Sequence, residues 1–173
     1  MLEKILTCKC CHQITRMKEG GISNIYIDDL MKKISCSFKG TFSIDKIPTY
    51  KDEKFSIIVN LSKENEKGTH FIGIMSSKDT IIYFDSYGIE HINLTIEKYL
   101  KKYRKKILHS NVQLQHVFSS HCGYFCVSFI LCLENNIPLH KFLTIFHKKD
   151  LYLNDYICIR IITTFIKYMY LRN

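Results

Sequence analysis

The chain has 173 residues, of which 46% are hydrophobic and 24% charged, with only 7 Gly and 2 Pro; such a composition excludes intrinsic disorder, and the length suits one folded unit over residues 1–173, expected to act as a monomer. The formal charge of +9 favours polyanions such as nucleic acid or acidic substrates. No stretch approaches the roughly 18 uninterrupted apolar residues of a membrane span, the richest, Cys122 to Leu133, being closed by Glu134, so no membrane partner is expected.

The opening, MLEKILTCKCCHQ, lacks the long apolar run and small-residue cleavage site of an export signal, which points to an intracellular address and, for the 8 cysteines, to reduced thiols. Cys8, Cys10, Cys11 and His12 resemble half of a zinc site. Tetrahedral sites bring ligands in separated pairs and no second pair is evident, so no metal is expected. From Tyr26 to Ile34 the apolar residues follow a helical period, with Asp28 and Asp29 early and Lys32 and Lys33 late, signs that suit a helix dipole.

Phe55–Leu61, His70–Met75 and Thr80–Phe84 are short β-branched or aromatic runs split by polar turns, which predicts an antiparallel meander of three strands. Next, Ile96, Tyr99, Leu100, Tyr103 and Ile107 recur at helical spacing beside Lys98, Lys101, Lys102, Arg104, Lys105 and Lys106. That pattern predicts an amphipathic helix whose basic outer face is either a solvated surface or a patch that tracks phosphates. An edge-like strand is expected near Val112–Val117. Cys122–Glu134, apolar on nearly all sides and free of breakers, predicts a buried central helix. Two further helical patterns, Leu139–Phe146 and about Asp150–Leu171, are assigned to packing; the second carries the stripe Cys158, Ile161, Ile162, Phe165, Ile166 and Met169. The fold class is α+β, a small mixed sheet packed against the buried helix.

Within this frame one group of residues carries chemistry. Cys122 opens the buried helix, where a thiolate gains from the helix N-terminus; Gly123 leaves room for a substrate, and Ser119 and Ser120 offer capping hydroxyls. A thiol nucleophile needs a base, and His70 opens an apolar strand. The base needs a carboxylate to fix its tautomer, and Asp85 closes the following strand, so antiparallel pairing would bring the two together. An oxyanion needs a second donor besides a backbone N–H, which Gln115 or the neighbouring Gln113 could supply. Taken singly, a strand histidine is more often structural and an Asp before a turn is commonly a cap; only the set as a whole points to chemistry.

The blocks Gly68-Thr69-His70-Phe71, Tyr83-Phe84-Asp85-Ser86-Tyr87-Gly88 and Gln115 followed by Cys122-Gly123-Tyr124-Phe125-Cys126 resemble those of the adenovirus maturation protease (adenain-like) family, including relatives from Polinton-like elements and virophages. The order His, acid, Gln, Cys is also similar to that of the wider clan of SUMO-deconjugating peptidases. In that branch the Gln is usually one residue closer to the Cys. The resemblance runs from about Gly40 to Leu133. It implies an adenain/SUMO-peptidase-like fold, a cysteine endopeptidase with Cys122 as nucleophile, His70 as base, Asp85 as third member and Gln115 as oxyanion donor, and viral capsid or core precursors as substrates, cut during particle maturation in the virion or host cell. No cofactor is required for that chemistry; DNA is the implied activator. The chain departs from the family in having Phe71 where many relatives carry Trp, and in having no Cys near Tyr103-Arg104, where the adenovirus enzyme binds its activating peptide through a disulfide. Two other readings compete: a peptidase for ubiquitin-like conjugates, and a non-catalytic basic DNA-binding or capsid-associated protein.

Overall fold

Alternation of apolar residues builds a five-stranded sheet in the computed structural model, which describes residues 21–89 and 93–172, the side chains of 170–172 excepted. The Cys8, Cys10, Cys11 and His12 cluster lies outside the described residues. The strands are β1 (Phe38–Ser43), β2 (Phe55–Asn60), β3 (Phe71–Ser76), β4 (Thr80–Phe84) and β5 (Lys106–His109), adjacent in chain order. The central pairs β2–β3 and β3–β4 are antiparallel, as the meander predicts, and the outer pairs β1–β2 and β4–β5 are parallel.

The helices are α1 (Asn24–Ile34), α2 (Leu94–Lys101), α3 (Cys122–Glu134), α4 (Leu139–Thr144) and α5 (Leu151–Arg172). Side chains along a strand point to opposite faces in turn. Phe55, Ile57, Val59, Ile72, Ile74, Ile81 and Tyr83 accordingly pack on one face with Ile96, Tyr99 and Leu100 of α2. On the other face Ile58 and Phe84 join α1, α3, α4 and α5 in the larger core. Every residue of α3 from Gly123 to Cys132 is buried, which explains the absence of a polar stripe in its sequence. Gly73 lets α3 lie close on β3, since a Cβ there would stand 2.9 Å from the Phe129 ring. Phe129 stacks on Phe84 with centroids 4.7 Å apart, and Phe142 of α4 meets Phe84 edge-on at 5.5 Å. Each such buried ring contributes about 1.5–3 kcal/mol relative to exposure.

Three segments differ from the sequence expectation. The helix predicted through Ile107 ends at Lys101: Lys102 and Tyr103 tighten the last turn, and Arg104 adopts φ 52°, a left-handed conformation that stops a helix. Lys106 and Ile107 belong instead to β5, because apolar residues at 100, 103 and 107 suit a helix and a following strand equally well. No strand forms over Val112–Val117. The edge beside β4 is already taken by β5, and the backbone of Leu114 and Gln115 donates to the Ser86 carbonyl (2.8 and 3.0 Å) instead of extending the sheet. Strand β1 has no counterpart in the sequence reading; Gly40 at φ 146° accompanies a register shift that interrupts its alternation.

Candidate active site

His70 immediately precedes β3 and Asp85 immediately follows β4, and these strands pair with Gly73 opposite Phe84. Antiparallel pairing therefore brings the two side chains together, with His70 Nε2 2.8 Å from Asp85 Oδ1. The same carboxylate oxygen accepts the Tyr87 backbone N–H at 2.8 Å, and the Tyr83 hydroxyl lies 3.5 Å from Oδ2. Burial of Tyr83 pushes its phenol up, as does the charge of Asp85, so it stays a donor. With its oxygens engaged and its surface almost wholly covered, Asp85 is fixed against rotation.

The turn that follows supplies a second contact. Gly88, at φ 66°, closes a reverse turn by donating its N–H to the Asp85 carbonyl (3.0 Å), and a Cβ there would stand 2.5 Å from the Val112 carbonyl carbon. Carrying the β3–β4 register onward sets Tyr87 opposite His70. Their rings stack with centroids 4.6 Å apart and 25° between planes. Phe71, which stands where many relatives carry Trp, is partly buried against the larger core, its ring 3.4 Å from the position of a Gly123 Cβ.

Cys122 is the first residue of α3 and remains partly exposed. Burial alone would lower the His70 pKa; hydrogen bonding to Asp85 and to the Cys122 thiol, together with their charges, outweighs it and pushes the imidazole up to about 9. Since Nε2 is held by Asp85, Nδ1 is the ring nitrogen left for the sulfur. Burial pushes the Cys132 thiol up to about 12 and those of Cys126 and Cys158 well above the ordinary range, so these behave as small hydrophobes. Cys36 is exposed and is not among the residues that line the cleft bearing His70 and Cys122.

Two details at the helix start correct the sequence reading. No side chain caps α3; Ser119 Oγ accepts instead from the backbone N–H of His121, the N-cap residue, at 3.2 Å. The first backbone N–H groups of the helix have no intrahelical acceptor and face the region of the sulfur. Gly123 serves packing more than substrate access, because a Cβ there would press on Ile27 (3.2 Å) and Ile22 (3.3 Å) where α1 crosses α3.

Gln115 is fully buried. Its Oε1 accepts from Ser86 Oγ at 2.6 Å, and its Nε2 donates to the Ser119 carbonyl at 2.7 Å. A carbonyl can only accept, so this contact fixes which end of the amide is nitrogen. Nε2 also lies 3.5 Å from the Tyr87 hydroxyl. Gln113 is exposed and donates to the Gln115 carbonyl at 3.1 Å; neither glutamine lines the cleft beside Cys122.

His70 and Cys122 open onto one cleft of about 470 Å³, while Asp85 and Gln115, both buried, do not line it. His70, Tyr87 and Cys122 form one part of its wall, Ile22, Phe42 and Phe71 give it an apolar floor, and Glu64 and Glu66 stand at its rim. Ser86, Tyr87, Ser119 and Asp155 join the site beyond the residues that the sequence marks as chemical. The order Asp-Ser-Tyr-Gly after a strand is a usable signal for the first two; nothing in the sequence links Asp155 to Ser119.

No family model matches the chain, and no curated protein matches it. Among solved structures the fold is similar to that of the ASFV pS273R protease, seen in crystals of its selenomethionine form, with a TM-score of 0.61 and 12% identity over 92% of this chain and 81% of that one. The α+β architecture, a mixed sheet with helices against it, is thus one that this chain shares with that protease.

Proposed function

We propose that the chain is a cysteine endopeptidase of a virus or virus-like element, acting on viral precursor proteins during particle maturation. One observation carries the reading: an imidazole held by a buried carboxylate lines the same open cleft as a thiol at a helix start. The sulfur attacks as the thiolate, its nucleophilic form, with the proton carried by His70. Its attack on a peptide carbonyl forms a C–S bond and an oxyanion, to be received by the Cys122 backbone N–H and by the Gln115 amide, the donor that the family resemblance implies. Collapse of this intermediate breaks the C–N bond, and the leaving amine takes its proton from His70. The resulting thioester is hydrolysed when His70 accepts a proton from water, and release of the acid restores the thiolate and imidazolium. Asp85 keeps the imidazole in place throughout and stabilises its charged form.

The likeness to a viral protease supports the class of enzyme, and the family resemblance of the His70, Asp85 and Cys122 blocks supports a maturation substrate. DNA is proposed as activator, on the exposed Lys98, Lys101, Lys102, Arg104 and Lys106. Lys105 is not available for it, because its ammonium donates to the Glu53 and Ser77 carbonyls and to Ser76 Oγ. The test is cleavage of candidate precursor proteins and of peptides with Gly at the cleaved bond, beside a panel of ubiquitin-like fusions. Precursors should be cut and the fusions left intact, with Cys122→Ala inactive. Turnover that survives Cys122→Ala would remove the enzyme assignment, and preference for the fusions would move the substrate to ubiquitin-like conjugates.

A further inference from the structure

Asp155 sits on α5, a helix read from its sequence as packing alone, yet its carboxylate faces the loop that leads into Cys122. Its Oδ1 accepts from Ser119 Oγ at 2.8 Å, and its Oδ2 lies 3.5 Å from His121 Nδ1. A carboxylate that has lost most of its water is costly unless its partners compensate. Burial pushes Asp155 upward, and the Ser119 hydroxyl, His121 and His116 pull it back. The neighbouring positions Cys158, Ile162 and Ile166 are apolar and join the larger core, so packing of α5 does not call for an acid here.

What the acid holds is Ser119. A hydroxyl has one proton and two lone pairs. Here the proton goes to Asp155, while the oxygen accepts the N–H of His121 at 3.2 Å. The carbonyl of the same serine takes the Gln115 amide at 2.7 Å. Ser119 therefore connects the two groups that would receive an oxyanion, the Gln115 side chain and the helix start at Cys122, and Asp155 fixes Ser119.

We propose that Asp155 is a positioning residue: through Ser119 it sets the Gln115 amide and the Cys122 backbone N–H to converge on one oxyanion. The inference rests on the peptidase reading and adds to it a part of the machinery contributed by α5. An error of about 1 Å in such a group costs about 100-fold in rate, and removing one oxyanion donor costs about 100- to 1,000-fold in kcat. Since the donors stay present and lose only their alignment, Asp155→Ala should lower kcat about 10- to 100-fold.

The experiment compares two reactions of the full chain at Cys122. One is hydrolysis of a fluorogenic peptide with Gly at the cleaved bond, read as kcat and KM. The other is alkylation by iodoacetamide, which displaces iodide at a saturated carbon and forms no oxyanion. Asp155→Ala should lower kcat and leave KM and the alkylation rate within about twofold of the parent. Asp155→Asn, which keeps an acceptor for the Ser119 hydroxyl, should restore most of kcat. Ser119→Ala should reproduce the loss, and the double variant should lose no more than either single one, because the residues act in series. An unchanged kcat in Asp155→Ala overturns the inference and leaves the peptidase standing; so does a parallel fall of kcat and alkylation, which would mark a disturbed fold or His70–Cys122 pair. If Cys122 of the unaltered chain alkylates no faster than the buried thiols and no peptide is cut, the peptidase reading fails and the role of Asp155 falls with it.

Discussion

The Tyr87 ring covers one face of the His70 imidazole, and its backbone N–H binds the carboxylate that holds that imidazole. One residue therefore steadies the base twice, once through its ring and once through its main chain. Only the first contact depends on the side chain.

Tyr87→Phe keeps the ring, and turnover should stay within about twofold of the parent, since the hydroxyl is only loosely placed against Gln115. Tyr87→Ala removes a stack worth about 0.5–1.5 kcal/mol, so kcat/KM should fall about 2- to 10-fold. Parallel peptide assays of the two variants check this. Equal losses in both would assign the effect to the hydroxyl.

The pH profile should show the Asp85–His70 pair. With His70 held protonated to about 9, kcat/KM should decline as pH rises through that value. Asp85→Asn removes a carboxylate charge that raises the imidazole and leaves the burial that lowers it, so the declining limb should move to lower pH. A limb that stays in place in the variant would separate it from His70.

The same shift links to stability. A folded pKa of about 9 against an ordinary 6.5 means stabilisation that is fully present below about pH 6.5 and lost as pH rises through about 9. Urea midpoints measured near pH 6 and near pH 9.5 should fall with pH in the parent, and by less in His70→Gln. The contribution is on the order of a few kcal/mol.

Gly88→Ala should be more costly than a surface change. Besides the positive φ, the added methyl meets the Val112–Gln113 backbone at 2.5–2.6 Å, and backbone cannot turn aside as a side chain does. A loss of about 2 kcal/mol or more is expected, measured by thermal unfolding. Activity should fall further than stability predicts, because this turn sits between Asp85 and the segment bearing Gln115.

Binding of duplex DNA should weaken steeply with salt if the exposed basic residues pair with phosphates. Replacing Lys98, Lys101 and Lys102 by Gln should reduce the slope of log K against log salt by about 0.9 for each phosphate that is no longer neutralised. A flat dependence in the parent would remove DNA as a partner.

Much of this arrangement is legible in the chain, and the exceptions share a cause. His70 and Asp85 can be paired on paper because they flank adjacent antiparallel strands, where the sequence interval itself sets proximity. Cys122 stands out among the cysteines because it begins a helix that is apolar on nearly all sides. Strand β5 and the coil that carries Gln115 differ from their sequence expectation because the edge of a sheet accepts whichever segment arrives with suitable connections, and parallel pairing leaves no hairpin signature. Gly123 shows the same limit at a single residue: its reason lies in Ile22 and Ile27, roughly a hundred positions earlier along the chain. Ser119 and Asp155 meet only because α5 packs back against α3, which local patterning does not encode.

The base and its carboxylate belong to neighbouring strands, whereas the sulfur arrives with α3 and the loop before it is tied to α5. A ribosome that has delivered only the sheet has made a proton acceptor with nothing to activate, and one that has added α3 still lacks the clasp from α5. On the peptidase reading, cutting power should consequently appear only once α5 has emerged and packed against α3.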